Sequence, residues 1–481
     1  MNSTTDARAT AEECLAELFL QEITSADGIT FEDFEFNAIE AGNSIMAAAM
    51  GRAIEKYDDI LCSDLPAGWK VHDKVAKTLP SEVGDLRYRF RRVRDGNGVE
   101  HVPYAEALDF PHGARISPGA RSFLVEAGAE VSYEGASRLL ARHGSTVSKT
   151  TVMNSMRRVG ELCAEEDAGL ARSLLADGEL PGGEVESEQV LVEADGTWVR
   201  LQGVKEGEPE RVEVKALVAY SAKEAVGKKV RRVDCVHHGC VASPDSFWAQ
   251  GVAAVGTRFD LGKVGRCRLA TDGEGWCKRG VEFFPSRVET SGQLDVWHVD
   301  HAVMSCFAKD GMEGAWKVLG ALWDGDKEQA CCLLEAMAAE GLAREKQAAR
   351  VVGYLRNNID LIDPDGPSMG TMESENQHVY GARMDSVPCA WSRPGADAMA
   401  RIRSRRFSRR DLPRITRANS VTPGRARRRE ERVASLLYPK GAGKMVESTG
   451  SGYLPPHQAS VADMSAEVRY AAGVDSGMIS I

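Results

Sequence analysis

The sequence predicts a mixed α/β protein: a helical N-terminal region, a five-stranded sheet, and a helical stretch ahead of a basic tail. Three observations predict it. Residues 6–57 place apolar side chains at three- and four-residue spacing, as amphipathic helices do. After residue 189 the texture changes to short β-branched runs separated by Gly and charged turns. From 301 to 360 the helical spacing returns. At 481 residues the chain has room for two to four domains, and 43% hydrophobic with 27% charged residues is an ordinary globular composition.

Residues 1–60 read as helices: "TAEECLAELFLQEI" and "FNAIEAGNSIMAAAMGRAIEKY" carry the pattern. In 61–115, "GDLRYRFRRVRDGNGVEHVPY" alternates and breaks at "DGNG", a β-hairpin signal. Its first strand bears Arg87, Arg89, Arg91, Arg92 and Arg94, a row suited to a DNA backbone and equally to a charged, aggregation-proof edge. Residues 116–175 read as three helices. Ser132 is an N-cap for the second, and a turn with Gly144 leads into a third opening with Ser148, Lys149, Thr150 and Thr151. That arrangement resembles a helix-turn-helix, whose short polar residues reach phosphates or base edges; Arg157 and Arg158 follow on the same helix. A plain helical bundle gives the same pattern.

"ADGELPGGEVESEQ" (176–189) reads as a linker and domain boundary. Beyond it, "QVLVEADGTWVRLQG", "ERVEVKALVAYSA" and "KKVRRVDCVHHG" read as three strands. "DSFWAQGVAAVGTRFD" is a helix, "GRCRLATDGEGW" a fourth strand and "QLDVWHVD" a fifth. The order β-β-β-α-β-α-β is that of the ribonuclease H-like fold. The expected core is 190–300 with 370–400, interrupted by an all-helical insertion at 301–369. Residues 401–481 read as an Arg-rich, partly disordered tail. Between 401 and 432 there are 13 Arg against three acids, on a chain whose formal net charge is −11. Such asymmetry points to one polyanion-facing region, with Arg405, Arg406, Arg409 and Arg410 as backbone contacts.

Three acids stand out by placement. Asp195 lies in the first strand, Asp272 follows the apolar part of the fourth, and Glu373 starts a helix. The first and fourth strands of this order are neighbours, so Asp195 and Asp272 are expected to meet. Clustered carboxylates repel unless a cation neutralises them, and hard oxygen ligands select Mg²⁺ or Mn²⁺, here two ions. Glu193, Glu274 and Glu375 compete with the three. Each Asp-Gly pair also reads as a plain turn. "CVHHGC" (235–240) holds zinc-type ligands but no distant second pair, so no zinc site is expected. Trp198, Trp276 and Trp391 lie beside the acids in sequence.

"EADGTWV", "TDGEGW", "LDVWH" and "ESENQHVYGARMDSVPCAWSRPGADAMARIR", with the upstream hairpin and helix-turn-helix segment, resemble the ISLre-type insertion-sequence transposases of bacteria over roughly residues 75–405. The resemblance implies a ribonuclease H-like nuclease with an Asp, Asp, Glu triad at Asp195, Asp272 and Glu373. Glu373 is the match because the third acid lies five residues before a His, here His378, ahead of Arg383, Pro388 and Trp391. "LDVWH" resembles the Asp-x-x-His element of related transposases, which implies roles for Asp295 and a strand-borne His298. The expected function is then Mg²⁺-dependent cleavage of element ends to 3′-OH groups and their transfer into target DNA. The expected partner is double-stranded DNA, bound by a homodimer or higher assembly. The competing readings are a transposase-derived DNA-binding regulator and a structure-specific nuclease. Eleven scattered cysteines, a polar acidic N-terminus and no apolar run of membrane-spanning length lead to the expectation of a cytoplasmic, nucleoid-associated protein with no membrane partner.

Overall fold

A computed structural model of the chain describes residues 2–25, 28–227, 229–386 and 389–420. The described residues up to 159, with those from 413, form one compact unit; those from 160 to 412 form the other.

The first unit begins with two long helices, α1 (Asn2–Ser25) and α2 (Phe31–Ser63). A reciprocal capping box between Thr30 and Asp33 starts α2. Strands β1 (Lys70–Ser81), β2 (Gly84–Arg94) and β3 (Glu100–His101) form a three-stranded antiparallel sheet. The expected turn at Asp95–Gly98 joins β2 to β3, where the Asp95 carboxylate accepts the N–H groups of Asn97 and Val99. Strand β1 was not legible, because its apolar positions are interleaved with Lys and Asp. Helix α2 covers the free edge of β2: Glu55 and Asp58 accept the backbone N–H groups of Arg89 and Arg91. Helices α3 (Pro103–Ala107), α4 (Pro118–Glu130), α5 (Tyr133–Ala141) and α6 (Lys149–Arg172) follow. Ser132 caps α5 as expected, accepting from Gly135.

The division between units falls inside α6 rather than at 176–189. Residues 176–179 are exposed, but from Leu180 to Gln189 about every second residue is half-buried, so this stretch runs along the second unit rather than as a loose linker. Val185 bridges Phe259, and a Cβ on Gly183 would lie 2.3 Å from the Phe259 backbone, so the residue there has to be glycine.

The second unit is a mixed α/β layer. Strands β4 (Gln189–Arg200), β5 (Arg211–Tyr220), β6 (Ala222–Val226), β7 (Lys229–Val233) and β8 (Val236–Cys240) come first. They are followed by α7 (Pro244–Gly256), β9 (Arg266–Thr271), α8 (Gly275–Lys278) and β10 (Glu289–Leu294). The five-stranded sheet has the order β10-β9-β4-β5-β8. Strands β4, β9 and β10 run parallel, and β5 runs antiparallel to both of its neighbours. Val190, Val192 and Ala194 of β4 pack into one core with Phe247, Trp248, Val252 and Val255 of α7.

Two strands differ from expectation. The third, read as continuous over 228–239, breaks at Asp234, whose φ is +55°; β7 pairs with β6 as a separate hairpin and only β8 enters the sheet. The fifth ends at Leu294, because Asp295 caps α9 (Val296–Met304). Helices α9, α10 (Met312–Trp323), α11 (Lys327–Ala339) and α12 (Glu345–Asn357) share a core of Val299, Val303, Leu319, Leu334 and Leu355. Helices α13 (Met372–Glu375), α14 (Ala382–Met384) and α15 (Arg393–Phe407) complete the unit.

The tail expected from 401 is helix for its first seven residues. On α15, Arg401 and Arg405 are buried and both hold the buried carboxylate of Asp167, each at 2.8 Å. Spacing of i, i+4 puts both on one helical face, which is why they serve the core. Residues 421–481 and Pro388 lie outside the described residues. Among the described residues no helix is long and apolar enough to cross a membrane.

Candidate carboxylate site

The register of the parallel strands builds the site. Ala194 lies beside Thr271, and Thr271 beside Leu294. Asp195, Asp272 and Asp295 each come one residue later, so three aspartates stand at one level across three adjacent strands. Asp272 and Asp295 directly follow the ends of β9 and β10. The carboxyl ends of parallel strands are where open α/β sheets take their ligands.

Glu193 and Asp195 share the face of β4 opposite α7, but their surroundings differ. Glu193 is buried and accepts from Tyr220 Oη (2.5 Å), Thr371 Oγ1 (2.6 Å), and the backbone N–H groups of Gly370 (2.9 Å), Thr371 (2.6 Å) and Met372 (3.1 Å). Its oxygens are committed to the backbone that opens α13. It is the clasp that docks this helix on the sheet, and it explains a carboxylate deep in an apolar strand.

Asp195 is held more loosely. Its Oδ1 accepts the Gly196 N–H at 2.7 Å, and its Oδ2 accepts from Asn376 Nδ2 at 2.8 Å. Burial pushes its pKa up to about 6; the charges of Asp272 and Glu373 add to the rise, while Gly196 and His298 oppose it. Asp195 therefore feels Asp272, Glu373 and His298 together. Asp295 is also raised, by burial first, while its bond from Trp297 N–H and the neighbouring His298 oppose the rise and Glu193 adds to it.

Glu373 and Glu375 are separated by their partners. Glu375 is buried against His237 Nε2 (2.6 Å) and Arg232. Burial would raise its pKa, yet the hydrogen bond from His237 and the charge of Arg232 hold it below the usual range. Glu373 is exposed and lines a cavity of about 440 Å³ with Asp295, Trp297, Gly370, Ser374, Gln377 and His378. Its side chain has no hydrogen-bond or ion-pair partner among the described residues. Glu274 is partly engaged, accepting from Trp276 Nε1 at 2.7 Å. His298 is not strand-borne: it sits in the first turn of α9, since the Asp295 cap ends the strand.

The donor chemistry suits a hard divalent cation, because a half-buried acid raised by desolvation and by two acidic neighbours is what such an ion would relieve. As they stand, no three His, Cys, Asp or Glu side chains among the described residues converge tightly enough to hold a metal ion. Asn376 was missed by sequence reasoning, although its i, i+3 spacing from Glu373 places both on one helical face.

The candidate DNA contacts divide. Arg87, Arg89, Lys149, Thr150 and Arg409 are exposed, and Thr151 is tied to Ser148. Arg157 and Arg406 are half-buried, as is Arg158, which donates to the Asn419 carbonyl. Arg410 is half-buried too. Two are spoken for by the interior: Arg405 pairs with Asp167 and Glu166, and buried Arg383 lies over the Trp391 ring. Trp391 is itself buried, donating to the Met384 carbonyl, whereas Trp198 is 53% exposed.

The profile of an uncharacterised protein family (UPF0236) matches residues 24–417. No curated protein matches the chain.

Proposed function

This chain belongs to the uncharacterised UPF0236 family, and from that premise we propose that it is a DNA transposase of the ISLre type, with a ribonuclease H-like catalytic core. The strand order, with only the second strand of the sheet reversed, supports the fold reading. One observation carries the functional reading: three aspartates level across three adjacent parallel strands, with the unpartnered Glu373 beside them.

In this reading Asp195, Asp272 and Glu373 hold Mg²⁺ or Mn²⁺. The bound ions would polarise the scissile phosphate and lower the pKa of the attacking water or hydroxyl. The chain's own contribution is placement. Glu193 fixes the start of α13, and Asn376 orients Asp195. His298 stands within electrostatic reach of Asp195, where it can carry a proton. Water attacks the phosphorus at the element end, the bond to the 3′ oxygen breaks, and a 3′-OH is left. That 3′-OH then attacks a target phosphodiester and displaces a second 3′ oxygen. Exposed Arg87, Arg89, Lys149 and Thr150 hold the DNA backbone.

The test uses duplexes copied from the DNA flanking the reading frame. Wild type should cleave them in Mg²⁺. Asp195→Asn and Asp272→Asn should reduce cleavage to background while gel-shift binding persists. Retained cleavage in either variant refutes the triad; binding without cleavage by wild type favours the regulator reading.

A further inference from the structure

The amide of Asn376 is only half satisfied. Its Nδ2 donates to Asp195 Oδ2 at 2.8 Å. Its Oδ1 is shut off from solvent, on a side chain only 7% exposed, and has no donor among the described residues. The two amide atoms cannot trade places, because an ionised carboxylate only accepts and so Nδ2 has to face Asp195. A buried carbonyl oxygen without a donor costs free energy, and a native chain keeps one where a bound group supplies the donor. Nor can Asn376 turn away to find another partner. Glu193 pins the backbone at Gly370, Thr371 and Met372, and Glu375 is held by His237 and Arg232. From Asn376 to Gly381 the chain coils as a π-helical turn, a form often found at functional sites. Buried Arg403 fixes that turn by donating to the carbonyls of His378 and Val379. The orphaned oxygen is therefore held in place beside Asp195 from both sides.

We infer that Asn376 is the neutral member of the cation centre: Nδ2 holds Asp195, and Oδ1 accepts a hydrogen bond from a water on the divalent cation that Asp195 holds. Mg²⁺ keeps several of its waters in protein sites, and a cation makes its waters stronger donors. Such a water is the donor that a buried amide oxygen at this place lacks. The chemistry also explains an amide where a fourth acid could stand. A carboxylate at 376 would face Asp195 directly, and the two would repel in the cation-free chain. The amide reaches the cation's water and steadies Asp195 with one planar group. The inference rests on the cation-centre reading above and adds a residue to it.

The experiment uses the full chain and Mn²⁺ followed by electron paramagnetic resonance. Asn376→Ser leaves Asp195 a hydroxyl donor but removes the carbonyl. Asn376→Asp leaves an oxygen acceptor but removes the donor. Asn376→Ala and Asn376→Ser should each bind Mn²⁺ at least tenfold more weakly than wild type, with wild-type circular dichroism. Asn376→Asp should bind at least as tightly as wild type. Its urea midpoint should be the lowest of the set in chelator and should rise most on adding Mn²⁺, since the ion stabilises the state that binds it. Wild-type affinity in Asn376→Ala or Asn376→Ser overturns the inference, as does any order that puts Asn376→Ser above Asn376→Asp, because the amide would then serve only to hold Asp195. No uptake by wild type is a different failure: it removes the cation centre itself and the role of Asn376 with it.

Discussion

Two carboxylates two residues apart on one strand have opposite fates, and their partners decide it. Glu193 accepts five hydrogen bonds and Asp195 only two, so Glu193 is structural and Asp195 is available. Glu193→Gln keeps the shape but removes the charge from three backbone donors. It should cost about 2–3 kcal/mol in urea unfolding, and it should lower cleavage without touching the attacking groups. Unchanged stability would show that the clasp is not needed. From sequence, Glu193 and Asp195 were equal candidates, as were Glu373 and Glu375. Neither pair separates without knowing what faces it from far along the chain, such as His237 against Glu375, 138 residues away. A second residue carries a pH signature. Burial pushes the pKa of His238 down to about 3, against the pull of Asp167. The native state keeps it neutral while the unfolded chain protonates near pH 6.5. Its contribution is therefore complete above about 6.5 and is lost as pH falls toward 3, at roughly 1.4 kcal/mol per pH unit. Between pH 7.5 and 5.5 wild type should lose more stability than His238→Leu; parallel losses would contradict this.

At the scale of elements, patterning was legible wherever one face was apolar. Strand β4 and helix α7 declared themselves this way, and the neighbouring placement of the first and fourth strands is observed. The failures share a cause: tertiary partners overrode local texture. Asp234 and Asp295 ended strands that alternation would have continued, one by a positive φ and one by capping. The Arg-rich start of the tail became α15, because Asp167 on α6 pairs with Arg401 and Arg405. Removing that buried anion leaves each guanidinium with one carboxylate, Asp397 for Arg401 and Glu166 for Arg405, so Asp167→Ala should cost about 3 kcal/mol in chemical denaturation. Helices α6 and α15 also approach closely at Gly160, where a Cβ would lie 2.2 Å from that of Ala398. Gly160→Val should force them apart and lower the melting temperature by several degrees, about 2–4 °C per kcal/mol lost. A melting temperature equal to wild type would mean the contact is slack.

Across the whole molecule, an acidic chain gathers three level aspartates at the end of one sheet. The net charge of −11 hides a division of labour. Some of the arginines that looked like a DNA grip neutralise buried acids, while Arg87, Arg89 and Lys149 remain exposed on the first unit. In the proposed reading Asp195, Asp272 and Glu373 form one divalent-cation centre. Mn²⁺ binding to the full chain, followed by electron paramagnetic resonance, tests it most directly. Wild type should take up Mn²⁺ that Mg²⁺ displaces; Asp195→Asn and Asp272→Asn should each abolish uptake, and Glu373→Gln should weaken it. Glu375→Gln should bind as wild type, because that carboxylate belongs to His237 and Arg232. Uptake that survives loss of both aspartates, or no uptake by wild type, would contradict the account.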